Sequence, residues 1–312
     1  MKKTVVVLGG LGFIGSHLSN MLNKKFNVII YDDFSNASGK NSINKNIKIV
    51  KGDILDFNKI KKIITKSNIV FNLAVKPLPM SFDKPDEVVK TNDFGAYLVA
   101  KSCSESNIKL IHVSSSEAYG TAKKVPMKES HPFFPTTIYA ASKASSELYV
   151  KGLIESDKLK AVIIRPFNSY GPFMRDDMYA AAIPKFFHRI KNDQYPIIYG
   201  NGNQTRDFTY VEDTARGIFL ASQKSNALGK IFNIGYGKEI SINEIAFLMM
   251  EKFEKITGKK VTNKIYFKKE RKGDVRRHLA DIKFAKELLG YKPEIKIDEG
   301  IEKYISWKIN ST

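Results

Sequence analysis

Through the first half of the chain, short apolar runs rich in β-branched residues alternate with longer stretches of helical periodicity. "TVVVLGG" (4–10), "FNVIIYDD" (26–33), "NIKIVKGDI" (46–54), "NIVFNLAV" (68–75), "IKLIHVSS" (108–115) and "KAVIIRPFN" (160–168) read as strands. "FIGSHLSNMLNKK" (13–25), "FNKIKKIITK" (57–66), "PDEVVKTNDFGAYLVAKSCSES" (85–106) and "TIYAASKASSELYVKGLIES" (137–156) read as the helices between them. Continuous apolar strands separated by helices predict a parallel sheet covered on both faces, a doubly wound α/β architecture.

After about residue 166 this regularity fails. Loops lengthen and gain Pro, Gly, Asn and aromatics, as in "PFNSYGPFMRDDMYAAAIP" and "YPIIYGNGNQTRDF", although "SINEIAFLMMEKF" and "IKFAKELLG" still read as short helices. The pattern predicts a cofactor domain over residues 1–166 and a smaller α/β substrate-binding region over 167–312, lying above the carboxyl edge of the sheet. No repeat or linker divides them, so they are expected to pack as one unit and to exchange some elements.

Composition narrows the class. Apolar residues at 43% and charged residues at 27% describe a globular chain, and no apolar run reaches the ~20 residues that a membrane span needs. The start "MKKTVVVLGG" meets glycines at once and reads as a first strand rather than a leader. A lone cysteine, Cys103, rules out an intrachain disulfide and suits a reducing cytoplasm. The formal charge of +19 comes from scattered lysines rather than one basic arm, which argues against a specific nucleic-acid partner and suits an anionic small molecule. His131, His188 and the other histidines lack ligand spacing, so no metal is expected.

"VVVLGGLGFIGSHL" places Gly9, Gly12 and Gly15 between a strand and a helix, with Phe13 and Ile14 in the same turn. Glycine is needed there for the tight turn, for close approach of backbone to a pyrophosphate and for helix–strand packing, while the helix N-terminus faces the phosphates. Asp32 ends the second strand, where a carboxylate accepts from ribose hydroxyls and, with no arginine beside it, disfavours a 2′-phosphate. The pattern predicts a Rossmann-type site that prefers NAD to NADP. Asp53 and Ile54 would suit the adenine, and Asn72, Leu73 and Ala74 the edge of the next strand. For these last positions, core packing explains the residues equally well.

"YAASK" puts Tyr139 and Lys143 four residues apart, on one helix face. An ammonium beside a phenol lowers its pKa, so that the phenolate can take a hydroxyl proton. "HVSSSEAYG" ends a buried strand with Ser115, Ser116 and Glu117. On an extended segment Ser115 and Glu117, two residues apart, project to the same face. Glu117 is then either a solvated loop charge or a second acid–base group.

With these residues in place, the chain resembles the extended short-chain dehydrogenase/reductases that act on nucleotide sugars. The resemblance runs over nearly the whole length, on "GGLGFIG", "NLA", "TND", "SSSEAYG", "YAASK", "RPFNSYGP", "GNGNQTRDFTYVED" and "RKGDVRR". It implies that Tyr139 is the base, that Lys143 tunes it and binds the nicotinamide ribose, and that Ser115 hydrogen-bonds the sugar 4-hydroxyl. It places Asn92 near the Tyr–Lys pair and, with Phe13, Ile14, Leu73, Ala74 and Pro166, against NAD. Asn168 would hold the substrate diphosphate, Arg206 and Arg271 would clamp phosphates or ribose, Tyr199 would stack on the base and Asp274 would touch the ribose. The Tyr199 and Arg271 pattern implies a UDP-sugar, and the family implies a homodimer through two helices of the first domain.

The resemblance does not single out one reaction. All such enzymes begin by oxidising C4 of the sugar. An epimerase then returns hydride to the other face, whereas a 4,6-dehydratase removes the C5 proton and expels water from C6. The similar epimerases usually carry a small or hydroxyl residue where Glu117 stands, and the similar dehydratases and uronate decarboxylases carry glutamate. Ser116 replaces the aspartic acid of many dehydratases, which leaves the acid role to Glu117, Ser116 or a water. Ala144 and Ser145 stand where the decarboxylases have arginine. "YAASKASSE" looks like the dehydratases, and "RDDMYAAAIPKF" is equally at home in the epimerases. Dehydration is the leading expectation and 4-epimerisation of UDP-glucose or UDP-N-acetylglucosamine the alternative. A decarboxylase, a simple oxidoreductase or a non-catalytic NAD-binding protein stands behind both.

Overall fold

The computed structural model describes residues 2–271 and 273–311, so Lys272 of "RKGDVRR" and the end positions 1 and 312 of the two predicted regions lie outside the described residues. Six strands, β1 (Thr4–Leu8), β2 (Asn27–Asp32), β3 (Lys48–Lys51), β4 (Ile69–Asn72), β5 (Lys109–Val113) and β6 (Ala161–Pro166), lie parallel in the order β3-β2-β1-β4-β5-β6. A seventh, Ile231–Ile234, pairs in parallel beyond β6. The switch in strand order beside β1 opens a crevice at the carboxyl edge, the usual place for a ligand in such a sheet.

The β1 strand shows why the sheet is covered on both faces. Val5 and Val7 pack with Leu18 and Leu22 of helix α1 (Phe13–Asn23). Val6 and Leu8 point the other way, into a cluster with Ile60 and Ile64 of α2 (Phe57–Ile64). Side chains alternate faces along a strand, so a run of four buried apolar residues feeds two cores at once. By contrast β3, at the sheet edge, is shorter than the run "NIKIVKGDI" suggests, and its residues are half-buried or exposed.

The segment 85–106 is helical as its periodicity predicts, but in pieces. A short turn α3 (Pro85–Val88) widens into a π-helical stretch over Val89–Gly95 before α4 (Ala96–Glu105) begins. Helix α5 (Ile138–Asp157) is capped by Thr137, whose side chain accepts from the Ala140 amide. Past residue 166, α6 (Ala182–Lys191), α7 (Val211–Gln223), α8 (Ile242–Thr257), α9 (Lys283–Leu289) and α10 (Ile297–Asn310) follow. A separate core joins α6, α8 and α10 through Phe186, Phe187, Ile245, Met249, Ile301 and Tyr304. Yet α7 packs on α1, and the strand Ile231–Ile234 completes the first sheet, so the later chain returns to the earlier unit.

One buried ion pair ties α5 to the sheet directly behind the crevice. The Arg165 guanidinium on β6 donates to both carboxylate oxygens of Glu147, at 2.6 to 3.0 Å, and also to the Tyr119 hydroxyl and the Glu129 carbonyl. Both partners are almost wholly removed from solvent. Removing one partner of such a pair strands the other charge, so Glu147→Ala is expected to cost about 3–5 kcal/mol of unfolding free energy. Denaturant titration checks this; a loss below about 1 kcal/mol would show the pair to be no better than an exposed one.

Candidate active site

The crevice begins at the glycine turn. Gly9 has φ +74°, and a Cβ there would stand 2.7 Å from the Ala74 amide nitrogen; one on Gly15 would stand 2.2 Å from the Gly9 carbonyl oxygen. Neither position tolerates a side chain. Gly12 is the N-cap of α1 and no side chain caps that end, which leaves the first-turn N–H groups facing the cleft that Gly12, Phe13, Ile14 and Gly15 line. The Asp32 carboxylate accepts from the Leu11 and Phe34 amides, each at 2.9 Å, and keeps lone pairs toward the same cleft. Burial raises its pKa, and the two amides pull it back.

Asp53, Ile54, Leu73, Ala74 and Pro166 also line this half of the cleft. Asn92 is differently engaged: it is buried, accepts from the Lys76 amide at 2.7 Å and donates to the Lys76 carbonyl at 2.9 Å. It thus clamps the loop after β4. Lys76 itself was not singled out by the sequence, where one lysine among many carries little signal. It lines the cleft and donates to Asp33 at 3.0 Å and to Ser35 at 2.7 Å. A side-chain-free cradle, an open helix N-terminus and a carboxylate at a strand end fit a dinucleotide's diphosphate and ribose.

The other half of the cleft collects the acid–base residues. Beyond β5 the chain is not extended, as the spacing of Ser115 and Glu117 suggests, but turns into a 3₁₀ helix over Ser116–Tyr119. The Ser115 hydroxyl caps that turn by accepting from the Glu117 amide at 3.2 Å. Ser115, Ser116 and Glu117 still face one cleft, because the tight turn rather than strand alternation brings them round. Tyr139 and Lys143 reach it together from the first turns of α5.

The electrostatics of this group differ from the sequence expectation in one respect. Lys143 is buried and its ammonium donates to the Val113 carbonyl at 2.8 Å; burial brings its pKa down to about 8. Tyr139 is not depressed. Burial pushes the phenol up to about 12, a hydrogen bond with Ser115 favours the phenolate, and the Glu117 charge opposes it. Desolvation is the largest influence on the phenol, while the Lys143 ammonium is turned to the Val113 carbonyl. Burial likewise raises the Glu117 pKa, against the pull of Arg206 and with a smaller push from Asp274.

The remaining predicted residues fall into three places. Asn168 lines the cleft, and its amide nitrogen is buried without a partner. Arg206 and Asp274 form an ion pair at 2.7 Å, close enough to Glu117 to shift it in opposite directions. Tyr199 and Arg271 meet each other, the guanidinium carbon lying 3.8 Å from the ring centroid. A base stacking on Tyr199 must therefore use its other face or displace Arg271. Among the described residues no group of three or more His, Cys, Asp or Glu is placed to hold a metal, and no helix is long and apolar enough to cross a membrane.

Residues 6–304 match the family model described as GDP-mannose 4,6 dehydratase. The chain belongs to this family of extended short-chain dehydrogenase/reductases. Its members are NAD-dependent nucleotide-sugar dehydratases and epimerases, and NAD is the cofactor. The chain is 32% identical to the dTDP-D-glucose 4,6-dehydratase of Homo sapiens over 98% of its length and 89% of that protein's. It is 36% identical to the UDP-N-acetylglucosamine 4-epimerase of Methanobrevibacter ruminantium, solved with UDP-N-acetylmuramic acid, with a TM-score of 0.91 and full coverage of both chains. The UDP-glucuronic acid 4-epimerase of Bacillus cereus, solved with UDP-glucuronic acid and NAD, is 29% identical, with a TM-score of 0.88 over 99% of this chain and 100% of that one.

Proposed function

We propose that this chain is a nucleotide-sugar dehydratase of the 4,6 type, acting on a UDP-sugar. The observation that carries the reading is Glu117, a half-buried carboxylate of raised pKa in the cleft beside Tyr139. Oxidising and reducing C4 needs only the Ser115, Tyr139 and Lys143 group. Loss of water needs a further base for the C5 proton, and a carboxyl of raised pKa is a stronger one.

In this reading Gly9, Gly12, Phe13, Ile14 and Gly15 hold the NAD diphosphate, Asp32 its ribose, and Asp53, Ile54, Leu73, Ala74 and Pro166 the flanking surfaces. Lys76 steadies the same region, with Asn92 holding its backbone. When bound, NAD takes up a hydride and returns it. Tyr139 accepts the 4-hydroxyl proton, Lys143 supplies the cation that favours the phenolate, and Ser115 holds the oxygen as it becomes a ketone. Glu117 takes the C5 proton, now acidified by that ketone, and Glu117 or Ser116 assists departure of the 6-hydroxyl. Asn168, Arg206 and Arg271 meet the diphosphate, Tyr199 the base and Asp274 the ribose, and the positive field of the surface favours the anion.

A second reading, 4-epimerisation, is favoured by the 36% identity to the M. ruminantium epimerase. Incubation with UDP-glucose and with UDP-N-acetylglucosamine separates the two. A product lighter by one water, with a 4-keto-6-deoxy sugar by NMR, is expected; unchanged mass with C4 inverted would replace the reading with epimerisation.

The same proposal takes the protein as a cytoplasmic homodimer built from a cofactor domain at 1–166 and a substrate region at 167–312. Supporting the dimer, Val89 and Phe94 ahead of α4 and Leu148 and Tyr149 on α5 are exposed, with Tyr97 bridging the Phe94 and Tyr149 rings. Neighbouring exposed apolar side chains on two packed helices suit burial against a second copy.

A further inference from the structure

Behind Glu117 lies a histidine that the sequence motifs leave unused. His278 is fully buried, and its Nε2 is 2.8 Å from the Gly120 carbonyl oxygen. A carbonyl only accepts, so Nε2 carries the proton and, in the neutral ring, Nδ1 is left as a bare lone pair. Nδ1 is buried without a partner and lies 4.0 Å from Glu117 Oε1. The ring cannot turn to relieve this, being fixed by Gly120 on one side and by Phe167 edge-on against it. Two acceptors facing each other stand off; a single proton between them would make a hydrogen bond.

We propose that His278 is a positioning residue for Glu117, its Nδ1 being a fixed acceptor that receives the hydrogen bond of the Glu117 carboxylic acid so that the pair holds one proton between them. The inference rests on Glu117 acting as the C5 base. A lone pair in that place disfavours the carboxylate and favours the acid, which strengthens the base at the moment it takes up a proton. A short rotation of the Glu117 side chain closes the gap once the proton is there.

The surroundings agree. His278 cannot supply the charge itself, since burial and the nearby Arg206 bring its pKa down to about 3, the Gly120 bond and Asp274 opposing and His131 adding a little. Around Glu117, burial raises the pKa, Arg206 lowers it and Asp274 raises it. Tyr139 is the remaining titratable neighbour, and the charge of Glu117 raises its pKa in turn. A proton arriving at this pair therefore resides on Glu117 and is shared toward Nδ1.

The test uses the whole protein without substrate. The carboxylic C=O infrared band that is absent from Glu117→Gln reports protonation of Glu117 as pH is varied. His278→Gln keeps an N–H for Gly120 and removes the ring nitrogen Nδ1 that faces Glu117. In that variant the midpoint of the band is expected to move down by about one pH unit. An unchanged midpoint in the folded variant overturns the pairing. In the unmodified protein, ¹⁵N-histidine NMR is expected to show the His278 Nδ1 resonance moving with the midpoint of the Glu117 band, and a resonance indifferent to that titration likewise overturns it. This second measurement stands even where the Gln variant does not fold. In turnover, kcat of His278→Gln is expected to fall about tenfold at neutral pH with KM unchanged, its acid limb moving to lower pH. The two titrations judge the pairing, whereas the product assay judges the dehydratase reading, so each can fail without the other.

Discussion

Replacing Tyr139 with phenylalanine is expected to lower kcat by about a thousandfold while the chain keeps its fold and its NAD. The phenol hydrogen-bonds with Ser115 in the cleft, and the substrate's 4-hydroxyl proton loses that acceptor once it is gone. The packing loss is small, because phenylalanine fills the same volume. In this cleft burial holds the phenol up to about 12, so the phenolate needs a cation nearby, and the proposal gives that task to Lys143, which lines the same cleft. Its own pKa of about 8 means that the ammonium is lost as pH rises through that value, which places the alkaline limb of kcat near pH 8. Lys143→Arg keeps a charge at all working pH values and should remove that limb, whatever it does to the rate. The measurements are kcat against pH, bound NAD from the absorbance of released cofactor, and melting temperature. Tyr139→Phe activity within tenfold of the parent would remove the tyrosine from the base role.

What the sequence shows of this protein is what lies close together along it. The Gly9, Gly12 and Gly15 turn and the Tyr139–Lys143 pair are local, since a turn or one helix face fixes the relative positions of the residues. The central sheet is legible for the same reason, each strand and its helix being a neighbouring pair. The strand Ile231–Ile234 is not, because nothing near it in the sequence says that it pairs with β6 rather than within the later region. Asn92 shows a finer limit: its place in "TND" is legible, but its partner is the Lys76 backbone, which only the three-dimensional path brings near. The Ser115–Glu117 spacing suggests strand alternation, whereas a 3₁₀ turn produces the same outcome by another geometry. His278 was invisible because its meaning depends on Gly120 and Glu117, both distant in sequence and adjacent only in the fold.

Glu117→Gln is expected to abolish water elimination, lowering formation of the 4-keto-6-deoxy product by about 10²–10⁴-fold. Glutamine has the same shape and can still hydrogen-bond, but it cannot hold the C5 proton. The groups proposed for the 4-hydroxyl, Ser115, Tyr139 and Lys143, are untouched, and losing the Glu117 charge removes one contribution that raises the Tyr139 pKa. The first half of the chemistry should thus survive, and with it NAD and substrate binding. Solvent deuterium separates the possibilities. In D₂O the parent enzyme should place deuterium at C5 as Glu117 exchanges its proton with water, and the variant should not. If Glu117→Gln eliminates water at the parental rate, the carboxylate is an ordinary loop charge and the acid–base work lies elsewhere. If the parent inverts C4 with no deuterium at C5, the cleft performs only the oxidation and reduction that Ser115, Tyr139 and Lys143 can support, and Glu117 acts there through its charge on Tyr139 alone.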